Sequence, residues 1–107
     1  MPMAPDLASL VARIRSLLDP HAADPGELTE MEHTLTDGYA RALEIEAERL
    51  RLERRIGELA HRIDGPDEAG ELRRLARRLR TAGEDLASLR DLLGELQRRV
   101  DEERAVA

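Results

Sequence analysis

The chain has no cysteine, lysine, phenylalanine or tryptophan, and Tyr39 is its one large aromatic side chain. Without cysteine there is no disulfide framework, no thiolate nucleophile and no sulfur-ligated metal, so redox chemistry does not constrain the compartment. Without large rings, a thick globular core lacks its usual filling. The interior has to come from Leu, Ile, Val, Ala and Met, which suits a thin seam between helices. No apolar run approaches the ~18 residues of a membrane span. No basic segment followed by an apolar stretch opens the sequence, so no signal-peptide pattern is visible. The expectation is a soluble, cytoplasmic protein with no membrane contact.

What is present points one way. The 107 residues make one domain, 37% of them are charged, and Leu, Ala, Glu and Arg dominate. That is the composition of coiled coils and long helices. Leu7, Leu10, Val11, Ile14, Leu17 and Leu18 recur at helical spacing, which predicts an amphipathic first helix over about 5–18. Alone in water a helix of that length is marginal, so it needs a surface to lie on. Asp19-Pro20 ends it, because the residue before proline is pushed out of the helical region. A linker over 20–24 follows, and Asp24-Pro25-Gly26-Glu27 carries helix-start signals.

Two long apolar stripes come next. Leu28, Met31, Leu35, Gly38, Ala42, Ile45, Arg49, Leu52, Ile56, Leu59 and Ile63 keep alternating spacings of three and four. Leu72, Leu75, Leu79, Ala82, Leu86, Leu89, Leu93, Leu96 and Val100 do the same. Sustained heptads of this kind specify a coiled coil. Asp64-Gly65-Pro66-Asp67 joins them with stop and start signals, and a short connection makes neighbours antiparallel.

The predicted fold is all-α: an antiparallel two-helix coiled-coil hairpin (about 25–63 and 66–104) with the short N-terminal helix packed on its base. Folding about the turn pairs Ile63 with Leu72, Ile56 with Leu79, Ala42 with Leu93 and Gly38 with Leu96, and sets Arg49 near Leu86. Tyr39, Leu43, Leu50 and Leu92 lie off the seam, on the half the first helix would cover, roughly opposite residues 27–42. The rivals are docking of that helix on another molecule, with Leu10, Ile14 and Leu17 as anchors, and a homodimer through the apolar patch.

Charge is segregated. Residues 1–50 carry 4 Arg and 10 acids, net −6; residues 51–80 carry 9 Arg and 6 acids, net +3; residues 81–107 carry 4 Arg and 7 acids, net −3. The hairpin therefore has an acidic base and a basic arm. Arg73, Arg74, Arg77 and Arg78 form the densest cationic run and are candidate contacts to an acidic surface on another protein. The bland alternative is a solvated flank paired with neighbouring Glu. Net acidity and the lack of aromatic platforms argue against nucleic acid.

Signals for chemistry are poor. The Glu30/His33 and Glu58/His61 pairs lie on one helix, 28 residues and ~42 Å apart, and cannot share a metal. Ser9, Ser16 and Ser88 have no histidine to activate them. No glycine-rich phosphate loop occurs. No enzyme activity, cofactor or metal is expected, and the chain reads as a non-catalytic interaction module, an adaptor or regulator. With a short helix before a hairpin, the layout resembles the actinobacterial anti-sigma factor RsiG. That family's ligand motif orders Glu, Ser, Arg, Gln and Asp on one helix. Here Glu84 and Ser88 keep the first spacing and Gln97 and Asp101 the last, but Asp91 stands at the arginine position. This resemblance would imply a transcription regulator. In length and shape the chain also resembles the small secreted helical hairpins of the WXG100 family, with Asp64-Gly65-Pro66 in place of their Trp-x-Gly turn.

Overall fold

A computed structural model of the chain describes residues 5–20, 27–62 and 64–106. These form α1 (Pro5–Leu18), α2 (Glu27–Ala60) and α3 (Pro66–Val106). The fold is an all-α helical hairpin of α2 and α3 with α1 laid against it, drawn out to 62 × 21 × 15 Å. The helix-start signals at Asp24 and Pro25 lie outside the described residues, as does Ile63.

Local signals account for the helix ends. After α1 the Asp19 N–H donates to the Ser16 carbonyl at 3.3 Å, a tightened last turn, and Pro20 cannot continue the ladder. α2 ends at Ala60, earlier than the heptad pattern suggests, and the Arg62 N–H closes onto the Leu59 carbonyl at 2.9 Å. Gly65 belongs to the start of α3: its carbonyl accepts the Ala69 N–H at 3.2 Å. Pro66 takes the first helical position, where its missing N–H costs nothing. Asp67 and Glu68 complement the positive end of the helix. No described glycine has a positive φ, so Gly65 is not a left-handed cap on α2.

The register of the hairpin differs from the one the sequence predicts. The Leu93 side chain fills the space a Cβ at Gly38 would occupy. Counting antiparallel from that contact sets Ala42 level with Leu89, Ile45 with Leu86, Leu52 with Leu79 and Leu59 with Leu72. Ion pairs flank the seam symmetrically about this register: Arg104–Glu32 at 3.3 Å and Arg90–Glu46 at 2.9 Å on one side, Arg78–Glu48 and Arg55–Glu71, each 3.2 Å, on the other. The predicted pairs Ile56–Leu79, Ala42–Leu93 and Gly38–Leu96 are displaced because the hairpin folds about Gly65-Pro66 rather than about the midpoint of Ile63 and Leu72. The shift sets Arg49 level with Ala82, not Leu86. A long side chain thus meets a small one, as interlocking layers require.

Arg49 divides the interior. One apolar cluster runs from α1 through Met31, Leu35, Ala42 and Ile45 to Ala82, Leu86, Leu89, Leu93, Leu96 and Val100. A second, thinner cluster holds Leu52, Leu59 and Leu75, with half-buried Ile56, Leu72 and Leu79. The base is a three-helix core and the arm a two-helix seam.

α1 lies antiparallel to α2 on the base. Arg41 Nε stands 3.3 Å from Asp6 Oδ2 near one end, and Arg13 lies 3.2 Å from Asp37 and 3.6 Å from Glu30 toward the other. Thr34 is fully buried between them, its Oγ1 accepting from Arg13 at 3.2 Å and facing Glu30 Oε1 at 3.5 Å. Leu7, Leu10, Val11, Ile14 and Leu17 are all buried. At about 1.5–3 kcal/mol for each fully buried side chain, this interface holds a helix too short to persist alone. The coverage of residues 27–42 is as predicted, but on one flank only. α1 packs on the flank that carries Thr34, Arg41 and Leu92, and half-buried Leu92 packs against the core. Tyr39, Leu43 and Leu50 stand on the opposite flank, 45%, 72% and 47% exposed. Leu43 and Leu92 therefore lie on opposite flanks of the hairpin.

Candidate functional site

Leu10, Ile14 and Leu17, candidate anchors for a partner, belong to the internal core: Ile14 is 0% exposed and the other two are buried. Their spacing is that of a docking face, and the surface they dock on is the chain's own hairpin. In this conformation they present nothing to another molecule.

Arg73, Arg74, Arg77 and Arg78 are all exposed on α3 of the arm. Helical spacing sets Arg74, Arg77, Arg78 and Thr81 on adjoining rows. With Arg80 and Glu84 they line an open hollow of about 540 Å³. Gly70 contributes space: the guanidinium nitrogens of Arg74 and Arg73 lie 3.5 and 3.9 Å from where its Cβ would be.

The ionic partnering of these groups is uneven. Arg78 reaches Glu48 at 3.2 Å across the seam. Among the described residues Arg73, Arg74, Arg77 and Arg80 have no ion-pair partner. The base differs: Arg13, Arg41, Arg49, Arg90, Arg99 and Arg104 each have a carboxylate within 4 Å. Four arginines of this run are thus uncompensated among the described residues. Exposed arginines offer planar donor forks to carboxylates or phosphates.

Other candidate groups are dispersed. Glu30 is taken up by Arg13, and Glu58 lies 3.8 Å from Arg55. Among the described residues no three His, Asp or Glu side chains gather in a metal-binding group. Ser88 and Asp91 are exposed, while the Gln97 amide donates to Asp101 at 3.1 Å. Asp85 is half-buried on α3. Burial, followed by the charge of Glu84, raises its pKa above 3.8, and Arg41 opposes the rise. Among the described residues no helix is long and apolar enough to cross a membrane.

Sequence reasoning missed the side that α1 would take. The signal was present: Thr34, Arg41, Asp85 and Leu92 share one flank, and Tyr39, Leu43 and Leu50 the other. No family model, curated protein or solved structure matches this chain.

Proposed function

We propose that this chain is a non-catalytic, cytoplasmic interaction module, an adaptor or regulator, whose basic arm docks an acidic surface of another protein. The observation that carries the reading is the run of exposed arginines on α3, four of which lack an ion-pair partner among the described residues, while six of the eight arginines of the base have a carboxylate within 4 Å. An uncompensated patch on a rigid helix speeds encounter with an oppositely charged partner and fixes its orientation. A protein is favoured over nucleic acid because the chain carries net charge −6 and no stacking platform. In this reading α1 is structural and completes the base from which the arm projects.

The test is charge reversal. Arg73→Glu, Arg74→Glu and Arg77→Glu together remove three exposed cations that take part in no ion pair among the described residues, so the fold is expected to persist by circular dichroism. Affinity purification of the full chain is expected to lose its principal partner in this variant and to weaken steeply with salt. Retention of the same partner at unchanged yield contradicts the reading.

A further inference from the structure

The flank opposite α1 is built for close approach, yet no described residue packs over it. Tyr39, Leu43 and Leu50 lie exposed along it on α2. The internal helical glycines Gly57, Gly83 and Gly94 fall on the same flank by heptad position. A Cβ added at any of them meets nothing within 4 Å. Each costs about 1 kcal/mol of helix propensity, with no packing among the described residues to explain it. Three glycines that thin one face, beside three exposed apolar side chains, describe a surface that another helix pair meets.

Charge selects the occupant. The arm carries net +3, the remainder of the chain −6 and −3. Arg73 and Arg80, neither ion-paired among the described residues, stand on this flank of the arm. A second copy laid parallel would set arm on arm, like charge on like. Laid antiparallel, with the two-fold axis level with the midpoint between Leu43 and Leu50, each arm lies on the base of the other copy. Arg73 and Arg80 then lie level with Leu96 and Leu89 of the opposing α3, a stretch that holds Asp91, Glu95 and Arg90, net −1. A rod of 62 × 21 × 15 Å offers a face long enough for the ~800 Å² per partner of a stable interface.

We propose that the chain forms an antiparallel two-fold dimer through the flank opposite α1, with the arm of each copy on the base of the other. This goes beyond the acidic-partner reading and leaves Arg74 and Arg77 free for it.

Sedimentation of the full chain over a wide concentration range is expected to give twice the 12.0 kDa chain mass. Leu43→Glu with Leu50→Glu is expected to give the single-chain mass at unchanged helicity. Gly83→Gln is expected to raise the helix propensity of each chain while weakening the dimer, an opposition that a purely structural glycine does not produce. Spin labels at Asp64→Cys are expected roughly 55 Å apart, from ~1.5 Å per residue between the axis and the turn. A chain that stays at 12.0 kDa, with or without a different protein on this face, overturns the proposal. So does a dimer that survives Leu43→Glu/Leu50→Glu, or labels near the interhelical spacing of about 10 Å, which would mean a parallel pair. Arg74→Glu with Arg77→Glu leaves this dimer intact, so failure here and failure of the acidic-partner reading are separately visible.

Discussion

Leu93 occupies the volume that a side chain at residue 38 would need, so Gly38 and Leu93 together set the register of the hairpin. Gly38→Ala forces a shift in the densest part of the base and is expected to destabilise by about 1–3 kcal/mol. Gly70→Ala provides the contrast: its Cβ would make ordinary contacts with two arginine side chains, and the gain in helix propensity is expected to stabilise by about 0.5–1 kcal/mol. Urea unfolding of both variants checks the opposite signs.

Ile14 is fully buried between α1 and the hairpin. Ile14→Ala is expected to cost about 2–5 kcal/mol. Because Arg49 separates the two clusters, amide exchange is expected to accelerate first in α1 and the base. Equal acceleration along the arm would show the clusters to be one cooperative unit.

Arg49 interrupts the seam. Its Nε is buried without a hydrogen-bond partner, and its Nη1 stands 3.8 Å from Glu46 Oε1. A buried nitrogen left without a hydrogen bond makes such a group a poor stabiliser. Arg49→Met is expected to join the clusters and raise stability by about 1 kcal/mol. A drop of similar size would mean that the guanidinium stabilises the native seam.

Asp85 contributes a pH signature. Burial and the neighbouring Glu84 raise its pKa in the fold above 3.8, against the pull of Arg41. The native state therefore binds this proton more tightly than the unfolded chain does. Stability falls as pH rises from about 3.8 through the raised value, and the ionised carboxylate opposes folding at neutral pH. Asp85→Asn is expected to be more stable than the parent at pH 7, with the difference shrinking as pH falls toward the carboxylate range. Urea midpoints at the two pH values test this.

Much of the fold was legible in the sequence because periodicity is a local property. The stripe from Leu7 to Leu18 and the heptads of α2 and α3 each identify a helix and its buried face without knowledge of the partner. Register and flank are relational. The apolar stripe admits Leu72 opposite either Ile63 or Leu59, and only the turn at Gly65-Pro66 and the fit of Leu93 onto Gly38 choose between them. Opposite-charge pairs such as Glu46–Arg90 and Glu48–Arg78 carried the same information across the seam. The candidate site divided similarly. Arg73, Arg74, Arg77 and Arg78 are exposed as their charge implies, whereas Leu10, Ile14 and Leu17 found their partner within the chain.

Docking of an acidic protein on the arm rather than on α1 is tested most directly by residue-resolved amide shifts during titration with a glutamate-rich peptide. Shifts confined to residues 70–84, abolished by Arg73→Glu, Arg74→Glu and Arg77→Glu, are the predicted result. Shifts concentrated in α1, or none at peptide excess and low salt, would contradict it.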